Sequence, residues 1–114
     1  MTTIYKICEA KEWERAERDG AFHGSAVDFA DGFIHFSTAA QVAATAARHF
    51  AGMSDLVLVA VHSEPLGAAV KWEISRGGAQ FPHLYGALPM SAVAWVKPLR
   101  LDDDGRHVFP RLDD

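Results

Sequence analysis

Aromatic, histidine and serine residues alternate in residues 31–38, which read DGFIHFST. If this segment is a strand, its two-residue period places Phe33, His35 and Ser37 on one face. A ring that can stack, beside an imidazole and a hydroxyl that can hydrogen-bond, is typical of the floor of a small-ligand cleft. The alternative is that His35 and Ser37 are polar groups satisfied within the core, while Ser37 or Thr38 caps the next helix.

A carboxylate occupies an unusual place further along the chain. Residues 69–74 alternate between apolar and charged side chains, which predicts a strand with Lys71 and Glu73 on the same face. Glutamate is depleted in strands, so Glu73 could hold a ribose hydroxyl or offset a developing positive charge. The alternative is a solvated glutamate beside Lys71 on an exposed sheet face.

The segment FPHLYG, residues 81–86, concentrates two aromatic rings and a histidine in six residues. His83 and Tyr85 point the same way if the segment is extended. A segment used for packing alone needs neither the imidazole nor the hydroxyl, so both are candidate ligand-binding groups. The alternative is a rigid turn in which the tyrosine hydroxyl caps a backbone group.

Several other kinds of site find no support in the spacing of the residues. The six histidines and Cys8 form no HxH, HExxH or CxxC pattern, so no metal site is predicted. There is also no P-loop, no Rossmann glycine pattern and no Gly-x-Ser-x-Gly elbow.

Composition indicates a single globular domain. The chain has 114 residues, of which 49% are hydrophobic and 23% charged, enough to bury a core. A formal net charge of −4 gives little support to nucleic-acid binding through phosphates. The longest apolar run, residues 56–61, is strand-sized and predicts no membrane span. With a lone cysteine and no signal-peptide pattern, we expect a monomeric cytoplasmic protein.

The order of elements favours an α+β protein over an alternating βαβ protein. Two helices are predicted, at residues 10–19 and 39–50, with residues 20–32 forming a loop between the first helix and the next strand. The predicted strands are residues 4–8, 33–36, 56–61, 69–74, 93–101 and 107–109, with 81–86 a turn or short strand. The residues expected mostly in the core are Trp13, Ile34, Phe36, Phe50, Leu56, Leu58, Val70, Trp72 and Ile74.

Four segments carry a resemblance to a known family. IYKI at residues 4–7, DGFIHFS at 31–37, WE at 72–73 and FPHLYG at 81–86 resemble the domain-of-unknown-function family DUF952 over nearly the whole chain. The resemblance implies a fold of the ADP-ribosylation superfamily: a single domain with a split, mainly antiparallel β-sheet core and two helices. It implies no particular activity.

The toxins of that superfamily offer a residue-by-residue comparison. Their aromatic–arginine pair resembles Tyr5 and Lys6, their Ser-Thr-Ser signature resembles residues 37–38, and their glutamate resembles Glu73. A downstream Tyr-Gly resembles Tyr85 and its neighbour. Here lysine replaces the arginine and loses its bidentate fork, the last serine is missing, and Lys71 stands where arginine-modifying members have an acid.

The residues and the resemblance together predict a nucleotide-type cleft for NAD or an ADP-ribose-like ligand. The expected function is small-ligand binding by a degenerate ADP-ribosyltransferase-like domain. The alternatives are an active NAD-dependent transferase or NAD glycohydrolase, and then a metal-dependent hydrolase built from the histidines. The candidate catalytic residues are Glu73, His35 and Ser37. The candidate ligand-binding residues are Lys6, which would meet a phosphate, Phe33, Thr38, His83 and Tyr85.

Overall fold

The computed structural model describes residues 2–112, without the side chain of residue 76. The strands of this part of the chain are β1 (Thr3–Glu9), β2 (Ala21–Phe22), β3 (Ile34–His35), β4 (Leu56–His62), β5 (Val70–Ile74), β6 (Gln80–Leu84), β7 (Leu88–Pro89), β8 (Val93–Leu101) and β9 (His107–Val108). The helices are α1 (Ala10–Asp19), α2 (Ala26–Asp31) and α3 (Val42–His49). Short 3₁₀ turns cover Glu64–Ala69, Arg76–Gly78 and Met90–Ala92.

The strands form three antiparallel sheets. A four-stranded sheet has the order β1-β4-β8-β9, a three-stranded sheet has the order β3-β6-β5, and β2 pairs with β7. An isolated bridge between Tyr5 and Ser37 links the outer edge of β1 to the chain just after β3. The predicted α+β class and the mainly antiparallel pairing are therefore confirmed.

The four-stranded sheet is buried on both faces along β1 and β4. One face packs in a cluster with Trp13 of α1, and the other packs against Val42 and Ala46 of α3. This double burial explains the uninterrupted apolar run of β4, which does not alternate as a half-exposed strand would. Within residues 2–112 no helix is both long and apolar enough to cross a membrane.

The first predicted helix has the observed bounds. Trp13 and Ala16 are its buried residues, three positions apart on one face, and the helix ends at Gly20 with a φ of 85°. Glycine adopts that left-handed conformation without the steric cost of a Cβ, so it stops the helix there. The second predicted helix is shorter than expected, since α3 begins at Val42 rather than at residue 39.

The predicted loop over residues 20–32 contains two regular elements, β2 and α2. Helix α2 begins after Ser25, which forms a capping box with Asp28, and it ends at Gly32 with a φ of 85°. Asp28 is the buried residue of this six-residue helix. Because its buried residue is polar, α2 lacks the apolar stripe by which a helix is identified in a sequence.

The predicted core is partly wrong at β5. Trp72 is 41% exposed and Ile74 is 71% exposed, because β5 is an edge strand of the three-stranded sheet and this part of its apolar face is open. Phe50 and Val70 are half-buried. The other predicted core residues are buried: Trp13, Ile34, Phe36, Leu56 and Leu58.

Candidate functional site

The register of the three-stranded sheet brings the predicted site residues onto one face. His35 of β3 lies directly opposite His83 of β6, and His83 lies opposite Lys71 of β5. Residues directly opposite in adjacent strands share a face, as do residues two apart along a strand. Glu73 and Tyr85 therefore join His35 and His83, as the alternation of the sequence predicts.

Four rings pack together on this face. The Phe33 ring stacks on the His83 imidazole with a centroid distance of 4.1 Å and an interplanar angle of 25°. The same phenyl ring lies 5.2 Å from the Tyr85 ring and 4.6 Å from the His35 ring. The two imidazoles meet edge to face at 5.5 Å. Phe33 thus holds both histidines in place and stacks on protein rings.

Glu73, His83 and Tyr85 form a hydrogen-bonded group, here named the Glu73 cluster. One carboxylate oxygen, Oε1, lies 2.8 Å from His83 Nδ1 and accepts the Tyr85 hydroxyl at 2.8 Å. These bonds to His83 and Tyr85 lower the pKa of Glu73 below its ordinary value. The same carboxylate raises the pKa of Tyr85, because tyrosinate could no longer donate to it.

The second ring nitrogen of His83 faces a different environment. Nε2 has no hydrogen-bond partner within the described residues. This nitrogen is not one of the fully buried side-chain atoms that lack a hydrogen-bond partner. In the described part of the chain those atoms are Trp13 Nε1 and His62 Nδ1. The imidazole lines a cleft, although its side chain is only 6% exposed. Nε2 is therefore the nitrogen that a molecule in the cleft can reach.

Asp28 organises a second group, the Asp28 cluster, with Lys6, Ser25 and His35. Its carboxylate accepts the Lys6 ammonium at 2.9 and 3.1 Å and lies 2.7 Å from His35 Nδ1. It also accepts the backbone N–H groups of Ser25 at 2.8 Å and His35 at 3.1 Å. Burial alone would raise the pKa of Asp28, but the bond from His35 and the charge of Lys6 outweigh it and lower the pKa to about 2.

His35 is held by carboxylates on both sides. Its Nδ1 faces Asp28 at 2.7 Å, and its Nε2 faces Asp31 at 2.8 Å. An ionised carboxylate only accepts hydrogen bonds, so both contacts are hydrogen bonds when the ring is the imidazolium. His35 thus bridges two acids, and neither of its ring nitrogens is left for a ligand.

Lys6 lies on the same face of β1 as Ile4 and Cys8 and is 4% exposed. The sequence predicted that its ammonium would meet a phosphate as a point charge. In the structure the ammonium is matched by the Asp28 carboxylate at 2.9 Å. The buried charge that Lys6 neutralises is therefore that of Asp28. The sequence alone did not indicate Asp28 as a site residue.

A cleft of about 540 Å³ opens between the two larger sheets. Its volume is in the range of small-ligand sites. Its polar lining includes Lys6, Asp31, His35, Ser37 and His83. Its apolar lining includes Tyr5, Ile7, Phe36, Phe50, Met53 and Phe81.

The remaining predicted residues divide between the cleft and its supports. Ser37 lines the cleft, and its hydroxyl lies 3.0 Å from that of Thr45. The backbone of Thr38 stabilises the turn that precedes α3: its carbonyl accepts from Val42 at 3.0 Å, and its N–H donates to the Gln41 side chain at 3.0 Å. Glu73, Tyr85 and Phe33 contact His83 rather than lining the cleft themselves.

Metal binding and thiol chemistry are two further kinds of function that a cleft protein can have. Within residues 2–112 no group of three histidine, cysteine or acidic side chains is arranged to hold a metal ion. Burial raises the pKa of the Cys8 thiol to about 12, so this cysteine remains a thiol near neutral pH and is a poor nucleophile.

Comparison with known proteins gives one family and one closely similar protein. The family model described as "Protein of unknown function (DUF952)" matches residues 7–96. The crystal structure of protein CC0527 from Caulobacter crescentus is 54% identical, with a TM-score of 0.90 and 94% of each chain covered. Its solution NMR structure is 56% identical, with a TM-score of 0.83, covering 93% of this chain and 91% of that one. No curated protein matches. The chain belongs to the DUF952 family.

Proposed function

We propose that the cleft binds a small ligand of the nucleotide type, with a planar ring and hydrogen-bonding groups, as in NAD or ADP-ribose. The observation that carries this proposal is His83, whose Nε2 is unpaired within the described residues and accessible in a cleft lined largely by apolar side chains. A mostly apolar cleft with a few convergent polar groups is the usual form of a small-molecule site.

The cleft offers distinct surfaces to the parts of such a ligand. Phe36, Phe50 and Phe81 supply apolar contact for a ring. Ser37 and His83 supply hydrogen bonds to an amide or a ribose hydroxyl. Because the Lys6 ammonium is matched by Asp28 and both ring nitrogens of His35 face carboxylates, we place the uncharged end of the ligand inside and any phosphates towards solvent.

The placement of Glu73 favours binding over ADP-ribosyl transfer. In the transferase hypothesis a glutamate touches the ribose of NAD, whereas Glu73 contacts His83 and Tyr85 and stands outside the cleft lining. The proposed relation to the ADP-ribosyltransferase-like fold is therefore that of a degenerate domain, which keeps the cleft and redirects the glutamate.

A thermal-shift titration tests the binding function. The wild type is heated with NAD, ADP-ribose or nicotinamide, and nicotinamide release from NAD is followed in parallel. A ligand that binds only the folded protein raises the melting temperature, because it stabilises the fold by RT ln(1 + [L]/Kd), which is about 2.7 kcal/mol at a hundred times Kd. We expect a shift without turnover.

Two histidine variants show where the ligand binds. His83→Gln should lose most of the shift, and His23→Gln, at an exposed histidine, should keep it. Absence of a shift with all three compounds would reject the nucleotide-type ligand. Steady nicotinamide release would instead favour the NAD glycohydrolase alternative.

A further inference from the structure

We infer that His83 is a general base in the cleft, where its Nε2 takes a proton from water that attacks a small uncharged substrate bound where the uncharged end of the proposed ligand lies. Glu73 and Tyr85 are positioning residues that act through the His83 ring. This inference rests on the proposed ligand-binding function and adds a reaction to it.

The first step of the argument is the tautomer of His83. The ionised Glu73 carboxylate accepts hydrogen bonds and cannot donate, so the Nδ1 atom, 2.8 Å away, must carry a proton. A neutral imidazole protonated at Nδ1 has its lone pair on Nε2. The carboxylate thus presents the basic nitrogen of the ring to the cleft and stabilises the imidazolium that forms when Nε2 takes a proton.

The second step is the rigidity of the arrangement. Tyr85 donates to the same glutamate oxygen that His83 contacts, so the carboxylate is itself oriented by a third group. Phe33 stacks on the imidazole at 4.1 Å. A base oriented by a partner, which is in turn held by another group, is the arrangement that activates hydroxyl nucleophiles in enzymes.

The surrounding charges suit a neutral substrate. The titratable and charged side chains near the His83 ring are Glu73, Tyr85, His35 and Lys71, whose ammonium lies 4.9 Å from the centre of the Tyr85 ring. The Lys6 ammonium is matched by Asp28, and both ring nitrogens of His35 face carboxylates, those of Asp28 and Asp31. The ammonium inside the cleft is thus neutralised by a protein carboxylate, which leaves this part of the cleft to an uncharged group.

The reaction is a hydrolysis in which atoms and charges balance. The water oxygen forms a bond to an electrophilic carbon of the substrate while one of its O–H bonds breaks and the proton passes to Nε2. The bond from that carbon to the leaving group then breaks, the leaving group keeps the electron pair, and Nε2 returns the proton to it.

Chemical modification with diethyl pyrocarbonate tests the free nitrogen. The His83 side chain is 6% exposed and that of His35 is 32% exposed, so exposure alone predicts faster reaction of His35. If Nε2 of His83 is a free base, His83 reacts several times faster, measured by peptide mass spectrometry at neutral pH. Faster reaction of His35 would overturn the inference.

Ester hydrolysis tests the reaction itself. With p-nitrophenyl acetate, an uncharged ester with a planar ring, we expect His83→Gln to lose at least about tenfold in rate. This bound is conservative, because general-base catalysis typically contributes about a hundredfold or more. His23→Gln should retain the wild-type rate. Equal rates for wild type and His83→Gln would overturn the hydrolytic step.

The positioning role of Glu73 requires a readout of its own. In wild type, ¹⁵N NMR of the histidine side chains should show neutral His83 protonated at Nδ1. Glu73→Ala should shift this tautomer towards Nε2 protonation and flatten the pH profile of ester hydrolysis. An unchanged tautomer and profile would overturn the role of Glu73. If cleft ligands still raise the melting temperature in that case, the binding function is retained and only the role of Glu73 is rejected. If no ligand raises the melting temperature, the binding function is rejected as well.

Discussion

Two carboxylate–imidazole pairs stand side by side on the three-stranded sheet, and they are built differently. The Asp28 side chain is 1% exposed and accepts five hydrogen bonds, from Lys6, His35 and Ser25. The Glu73 side chain is 39% exposed and accepts from one imidazole and one hydroxyl. The Asp28 pair occupies both nitrogens of its histidine with the help of Asp31, and the Glu73 pair leaves one free.

This difference shows that the burial of the carboxylate and the number of its hydrogen-bond partners decide what a carboxylate–imidazole pair does. A buried carboxylate must have its charge satisfied completely, so Asp28 accepts hydrogen bonds from β1, from the residue before α2 and from β3, and stabilises the fold. A half-exposed carboxylate keeps water as a partner and can specialise in orienting one ring. We therefore expect stability to depend on Asp28 and function to depend on Glu73.

The largest effect should come from Asp28→Asn. The substitution leaves the buried Lys6 ammonium without its counter-charge, which costs about 3–5 kcal/mol of unfolding free energy. Denaturant unfolding measures the loss. Asp31→Asn, at the exposed partner of the same histidine, is the matched control and should change stability by less than about 1 kcal/mol. Equal losses in the two variants would contradict the comparison.

Acid should remove a smaller part of the stability through the same residue. The pKa of Asp28 is lowered to about 2 in the folded state from an ordinary value of 3.8. A group whose pKa is depressed by folding stabilises the protein above its unfolded pKa and loses that contribution as pH falls through its folded pKa. Stability should therefore fall by about 2 kcal/mol as the pH is lowered from about 5 to about 1, with most of the loss between pH 4 and pH 2.

The acid profile also has an internal control. Asp28→Asn lacks the titrating carboxyl, so its unfolding free energy should decline less steeply over that pH interval. Parallel profiles for wild type and variant would show that other carboxyl groups dominate the acid response.

The exposed edge strand that carries Glu73 and the buried core should differ in their tolerance to truncation. Trp72 of β5 is 41% exposed, so Trp72→Ala should cost about 1 kcal/mol. The buried Trp13 of α1 packs on Phe22 with a ring distance of 5.6 Å, and Trp13→Ala should cost about 3–5 kcal/mol. Denaturant titration of both variants checks the order, and a larger loss at Trp72 would restore the burial that the sequence predicted.

The smallest effect on the fold should come from Glu73→Gln. Its melting temperature should stay close to that of wild type, while the pKa of Tyr85 falls towards its ordinary value, because tyrosinate no longer faces a carboxylate. Absorbance of tyrosinate near 295 nm follows this titration, and the buried Tyr5 contributes little to it. An unchanged Tyr85 titration would mean that the Glu73 hydrogen bond is absent in solution.

Short-range patterns were enough to predict which side chains of the candidate site share a face. The alternation in residues 31–38 and 81–86 set the faces of His35 and His83, and antiparallel pairing then placed them opposite each other. The alternation in β5 likewise put Glu73 on the face opposite to Trp72. It could not tell which face is buried, since that depends on β5 being an edge strand. For this reason the alternation predicts the apolar face of β5 as core, whereas Trp72 and Ile74 on that face are exposed.

Long-range pairing explains what the sequence did not reveal. Lys6 and Asp28 are separated by 22 positions, and neither position alone indicates an ion pair. The spacing of Ser25 and Asp28 matches a capping box and could have located α2, although the segment has no apolar stripe to support a helix. The sequence consequently offers Lys6 a ligand phosphate, whereas in the structure its partner is Asp28.

The backbone bridge between Tyr5 and Ser37 allows local opening of the cleft to be measured. Two backbone hydrogen bonds of 2.8 and 2.9 Å join these residues, one donated by each, and both residues line the cleft. If the two sheets part to admit a ligand at this point, the amide protons of both residues lose protection together. Amide hydrogen exchange at Tyr5 and Ser37 would then report the same opening free energy, and a bound ligand that closes the cleft would slow both by the same factor.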